Sequence, residues 1–141
     1  NNVIAGGGLV GIVTDVGANY ATVRSIIDDS SRVSAMALQS GDNCIVAGDL
    51  TLFEEGRLRI TNISREGDIK DGDPIVTSNI SSKFMPGILV GYAADITVDP
   101  ERLTKSGYLL PVADFDNLQE VLIITGTKDT GEDQLGEGAG S

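Results

Sequence analysis

The residues of this sequence that could do chemistry are serines, lysines, carboxylates and one thiol. Ser78, Ser81 and Ser82 lie close together. A Ser-Lys pair would need Lys83 or Lys105 as its base. No motif sets either lysine beside a nucleophile, so the serines read as loop and turn residues. Histidine is absent from the whole sequence. That absence removes the Ser-His-Asp triad, the Cys-His dyad and histidine-based zinc sites. Cys44 is the single cysteine, so neither an internal disulfide nor a thiolate zinc site can form. It reads as a small buried core residue.

Carboxylates occur in pairs at Asp28-Asp29, Glu54-Glu55, Asp71/Asp73 and Asp114/Asp116. Glycoside hydrolysis needs two carboxyls about 5 to 10 Å apart across a cleft, and aromatic residues to line a sugar site. Here the pairs sit in turn sequences such as Asp71-Gly72-Asp73-Pro74. The run 68–73 lacks the alternating ligands and distal glutamate of a calcium loop. Gly6-Gly7-Gly8-Leu9-Val10-Gly11 has no following Lys-Ser/Thr and leads into a strand, so it is no phosphate cradle. No catalytic, cofactor-binding or metal-binding residue is assigned from the sequence.

The elements behind these residues follow from composition and period. Apolar residues make up 40% of the 141, enough for a packed core. Aromatics are only 4%, so the core must be built from Val, Ile, Leu and Ala. Eighteen glycines suit an all-β chain with many tight turns. The formal net charge of −11 repels phosphate backbones and anionic bilayers, which argues against nucleic acid as a partner. There is no apolar run of 18 residues and no visible signal peptide. The start at Asn1-Asn2-Val3, without Met, is expected to mark a cut from a longer protein.

The stretch 71–98 organises the rest. A Gly-Asp-Pro turn enters Ile75-Val76-Thr77, a polar loop follows, and Phe84-Met85-Pro86-Gly87 leads into an alternating run. Ile88, Val90, Tyr92, Ala94, Ile96 and Val98 share one side of a period of two, which predicts a long central strand with one buried face. Residues 9–16 and 20–27 predict a hairpin across Gly17-Ala18-Asn19. Strands are expected over 32–38, with helix as the rival reading, and over 44–47, 50–53 and 57–63. The triple glycine ending 1–8 looks too mobile for an element interior. A brief helical turn is expected from Asp99-Pro100-Glu101. Pro111 would put the strand 108–114 at an edge or a bulge. A helical turn over 115–120, a strand over 121–125 buried on both sides, and a disordered acidic tail over 128–141 complete the reading. The expected architecture is two small β-barrels over 1–56 and 57–127, the first incomplete at its start. Phe84, Met85, Ile88 and Tyr92 are the candidate partner contacts, since Met and aromatics near loops are common at interfaces.

Several blocks together resemble the rod shape-determining protein MreC family. They are Gly8-Leu9-Val10-Gly11; Asp68-Ile69-Lys70-Asp71-Gly72-Asp73 leading to Val76-Thr77-Ser78; Phe84-x-Pro86-Gly87-Ile88-x-Val90-Gly91; and Pro111-Val112-Ala113-Asp114-Phe115 with Leu118 and Glu120-Val121-Leu122. The order and spacing of these blocks cover roughly residues 3 to 126. The family places glycines after the Thr-Ser pair, where this chain has Asn79 and Ser81; Asn79 tolerates the positive φ such a loop would use.

The resemblance implies an extracytoplasmic, non-enzymatic role in organising cell-wall elongation and controlling rod shape. Implied partners are the elongation transpeptidase (a penicillin-binding protein), MreD and the MreB filament system, with self-association also open. It further implies a cell-membrane location, through an anchor upstream of Asn1. Two alternatives stay open on the residues alone. One is a peptidoglycan- or carbohydrate-binding module, which the lack of Trp disfavours. The other is a hydrolase using Ser-Lys or unpaired carboxylate chemistry.

Overall fold

The computed structural model describes residues 2–80, 83–101, 103–113, 115 and 122–124. The tail expected over 128–141 lies outside these, and so does the helical turn expected over 115–120, apart from Phe115. The described elements are β1 (Asn2–Ala5), β2 (Gly8–Val16), β3 (Ala21–Ser25), β4 (Arg32–Ala37), β5 (Asn43–Ala47), α1 (Leu50–Phe53), β6 (Leu58–Ser64), β7 (Pro74–Thr77), β8 (Leu89–Asp99), β9 (Thr104–Pro111) and β10 (Leu122–Ile124). The chain is mainly β, as composition and periodicity predict.

Six strands close into an antiparallel barrel in the order β4-β5-β6-β9-β8-β7, with β7 pairing back onto β4. The other four form a sheet in the order β10-β1-β2-β3. The barrel therefore takes strands from both sides of Gly56. The turn composition there closes a connection between β5 and β6, which are hydrogen-bonded neighbours. Ala35, Ala37 and Ala93 fill the barrel together with Val46, Leu58, Ile60, Ile63, Ile75, Val90 and Leu109. Small residues among branched ones suit the interior of a narrow six-stranded barrel. Leu9 and Ile26 of the sheet region join this core, while Val3, Ala5, Val10 and Ala113 form a smaller one. Phe115 packs against both clusters and so ties sheet to barrel.

β8 is the longest described strand and lies between β7 and β9, yet it does not keep a period of two. Ile75 pairs with Gly91 and Val76 with Leu89, so Val90 is an extra residue on β8. A second irregularity falls between Ala94 and Thr97, where Asp95 has φ 53°. Each bulge moves the following side chains to the other face. Val90, Ala93 and Ile96 consequently meet the core at intervals of three, while Tyr92 and Val98 face solvent. The uniform apolar face expected from 88 to 98 is thus broken. β6 carries the matching feature at Asn62, φ 64°, which lets Ile60 and Ile63 both point inward. Between the two bulges runs Gly107, where a Cβ would lie 2.6 Å from Ile96 Cδ1 and 2.9 Å from the Ala94 carbonyl.

Other expectations change for local reasons. Residues 50–53 form a helical turn, not a strand. Asp49 is its N-cap, with extended backbone and Oδ1 accepting from the Leu52 N–H at 2.9 Å. The first glycine-rich stretch does contain an element: Gly6 (φ 63°) and Gly7 (φ 83°) make the two-residue turn between β1 and β2. Positive φ at both central positions matches the right-handed twist of a tight hairpin. Asp99 ends β8 and Pro100-Glu101 follow it, where the Leu103 N–H donates to the Asp99 carbonyl, the bond of a single helical turn as expected. β9 is an internal strand. Pro111 is its last residue and lies past Leu109, the final pairing with β6. Residues 32–37 are strand rather than helix, because Val33, Ala35 and Ala37 are needed inside.

Cys44 is buried in the barrel. Burial, with a smaller contribution from the Asp42 charge, pushes its thiol up to about 12 from an ordinary value of 9.0. The folded state thus holds a proton that the unfolded chain releases near 9, so stability from this group is complete below that pH and falls as pH rises toward 12. Native protein at pH 8 should react with a thiol reagent only as fast as it unfolds, and Cys44→Ala should show a shallower loss of denaturant midpoint between pH 9 and 11. Rapid labelling of the native chain would contradict this burial.

Candidate partner-binding surface

The loop between β7 and β8 is held by two buried polar side chains from different parts of the chain. Thr77 ends β7 and is 0% exposed. Its Oγ1 donates to the Met85 carbonyl at 2.6 Å and accepts from the Ile88 N–H at 2.8 Å. Its backbone carbonyl accepts from the Gly87 N–H, and its N–H donates to the Ile88 carbonyl. Gly87 supplies the reversal at φ 84°. Asn2, 1% exposed, reaches over from β1. Its Oδ1 accepts from the Met85 N–H at 2.7 Å, and its Nδ2 donates to the Lys83 carbonyl at 3.1 Å. Both backbone groups of Met85 are therefore bound by side chains, one from the sheet and one from the barrel.

These bonds decide where the expected contact residues go. Phe84 is buried in the barrel core and anchors the loop from beneath. Met85 and Ile88 are half-buried, and Tyr92 is exposed on β8. The four residues do not form one cluster: the first three belong to the loop, and Tyr92 lies on the outer wall of the barrel. Asn79 is not the positive-φ residue of the region; among the described non-glycine residues those are Asn62, Asp95 and Leu103. Asn2 and Thr77 were not among the sequence candidates. A single buried amide 83 residues from its partner leaves no periodic trace.

The possible catalytic groups are occupied otherwise. Ser78 is buried, its Oγ accepts from the Ile80 N–H, and its N–H donates to the Ser34 carbonyl. Lys105 Nζ donates to the Gly67 carbonyl at 2.9 Å. Asp28 accepts from the Ser30 hydroxyl and N–H, which hold its carboxyl below the usual range. Among the described residues no group of three or more His, Cys, Asp or Glu could hold a metal. A polar groove of about 930 Å³ lies outside β6, β9 and β8, lined by Arg59, Asn62, Thr97, Ser106 and Tyr108 among others. Arg57 covers the Tyr108 ring at 5.0 Å, and Arg59 pairs with Asp49 at 3.4 Å. The groove can hydrogen-bond, but its aromatic ring is already stacked.

A family model described as "Rod shape-determining protein MreC, barrel core" matches residues 1–125. The Cell shape-determining protein MreC of Geobacillus stearothermophilus is 31% identical over 128 residues, covering 84% of this chain and 43% of the relative. The chain thus spans less than half the length of that protein. The crystal structure of MreC from Pseudomonas aeruginosa superposes with a TM-score of 0.78 at 23% identity, covering 88% of this chain and 78% of that one. MreC of Helicobacter pylori, solved as a complex with Penicillin-Binding Protein (PBP2), gives a TM-score of 0.67 at 19% identity, covering 85% and 73%.

The two clamps on Met85 should behave as one unit. Asn2→Ala leaves a part-buried N–H and carbonyl without their partners, and Thr77→Val does the same on the other side. Each should cost about 1–3 kcal/mol in chemical denaturation. The double variant should depart from additivity by at least ~0.5 kcal/mol, because both act through one residue. Strict additivity would mean that the loop is not jointly held.

Proposed function

This chain belongs to the rod shape-determining MreC family, and from that premise we propose that it is a non-catalytic scaffold of the bacterial cell-wall elongation machinery. In this reading it acts by binding a penicillin-binding protein of the elongation system. The observation that carries the reading is the H. pylori relative, which was solved bound to PBP2. The relatives matched in sequence are themselves cell shape-determining proteins. The chemistry of the chain supports a role without turnover. The sequence has no histidine, Ser78 is buried, and Lys105 is engaged with the Gly67 carbonyl.

The wider assignment belongs to the proposal too. The full protein is placed at the cell membrane, with this region on the extracytoplasmic side, and MreD and the MreB filament system are its further partners. Among the described residues no helix is long and apolar enough to cross a membrane, so the anchor would be supplied by sequence outside this region. What the present chain contributes is a rigid body. A closed barrel has no free edge of its own, and residues 83–88 are tied to sheet and barrel at once.

The direct test is association with the purified ectodomain of the elongation transpeptidase. Saturable binding at micromolar concentration or tighter is expected by calorimetry, with no hydrolysis of cell-wall fragments by the chain alone. Absence of binding at several hundred micromolar, with the chain shown to be folded by circular dichroism, would remove the reading.

A further inference from the structure

One row of apolar side chains, three exposed and Pro74 half-buried, runs from the end of β4 across β7, β8 and β9 on the barrel wall. The Leu38 N–H donates to the Pro74 carbonyl at 3.0 Å, which continues the β4–β7 ladder past Ala37. Pro74 is the cross-strand partner of Tyr92 on β8, and Tyr92 is the partner of Leu110 on β9. Their sequence neighbours Ala37, Ile75, Ala93 and Leu109 are all in the core, so the row itself faces outward. Leu38 is 57% exposed, Tyr92 42% and Leu110 43%. Directly opposed side chains on neighbouring strands touch, and three strand spacings of ~4.8 Å make a band about 14 Å long.

We propose that this Leu38–Pro74–Tyr92–Leu110 band is the anchor surface for the penicillin-binding partner, and that the segment it takes is apolar with flanking lysines or arginines. The proposal rests on the functional reading above and adds the surface and the chemistry of its occupant. The band exposes on the order of 300 Å², less than the roughly 800 Å² that a stable protein–protein interface buries on each side. That area suits a hot spot within a larger interface, and Tyr92 is of a residue type enriched in hot spots. Charge selects the occupant. Asp68 and Asp73 border the cleft beside Leu38, where Lys70 is already paired with Asp68 at 3.8 Å. Toward the Leu110 side, Arg57 is already paired with Asp95 at 3.6 Å. The rim thus holds two ion pairs and one further carboxylate, Asp73, on a chain of net charge −11. A second copy would bring like charge to it. So would residues 128–137 of the same chain, with four carboxylates against Lys128. A basic-flanked segment would not.

The test compares the chain with the double variant Tyr92→Ser/Leu110→Ser in binding to the transpeptidase ectodomain. Both positions are exposed, so circular dichroism and the unfolding midpoint should stay as in the parent. A weakening of at least ~30-fold is expected, together with parent affinity that falls as salt is raised. Parent binding with an unchanged affinity in the variant overturns the band while leaving the functional reading in place. Absence of parent binding removes the functional reading and this proposal with it. Concentration-dependent self-association that the double substitution abolishes overturns the occupant in favour of a second copy. A variant that unfolds is replaced by Leu38→Ser alone, which lies outside the regular strands and should weaken binding by at least ~5-fold; unchanged affinity there overturns the band.

Discussion

Closure of the six-stranded barrel is the constraint to which most of this chain answers. A closed sheet removes free edges, but its interior has room only for side chains of matched size. Alanines at 35, 37 and 93 stand among branched residues for that reason. Closure also demands bending, and the chain bends at bulges. Asn62 on β6 and Asp95 on β8 both take positive φ, on either side of Gly107. Asn and Asp accept that conformation at less cost than most residues, and Gly107 removes the Cβ that the bulged strands would strike. Three small concessions in the sequence thus let the sheet curl without a break in its core.

The same devices explain what was legible in the sequence. Most strands could be read from apolar and β-branched runs, and the hairpin of β2 and β3 from its turn residues. The bulges could not, because an inserted residue looks like any other until its partner strand is known. That is why an unbroken face from 88 to 98 was expected where the structure shows Val90, Ala93 and Ile96 turned inward. The turn at 50–53 carried its own signal in Asp49, an N-cap that a four-residue apolar run obscured. β1 was hidden for the opposite reason: two glycines that suggest mobility supply the positive φ of a tight hairpin.

For the candidate surface, residue type was informative and placement was not. Tyr92 could be picked out as an aromatic beside a loop, yet its row-mates Leu38, Pro74 and Leu110 are far apart in sequence and meet only through strand register. Phe84 shows the converse, an aromatic whose type suggests contact and whose position is core. The polar clamp formed by Asn2 and Thr77 belongs to the same class of long-range facts. It fixes a loop through an amide and a hydroxyl that are individually unremarkable, and the burial of both makes their pairing obligatory.

The pairing of β1 with β10 carries a mechanical consequence. The strands are antiparallel neighbours, with Asn2 opposite Ile124 and Ile4 opposite Leu122. Asn2 and Ile124 therefore lie side by side at one end of the sheet. Tension applied between those two residues would not shear the ladder as a whole; it would peel it one hydrogen bond at a time, the weaker direction for a sheet. None of the barrel's six strands pairs with β1 or β10 among the described residues, and the barrel meets that line through the bonds of the Asn2 side chain to the Lys83 carbonyl and the Met85 N–H. Loaded this way, the chain would yield first at its paired first and last described strands.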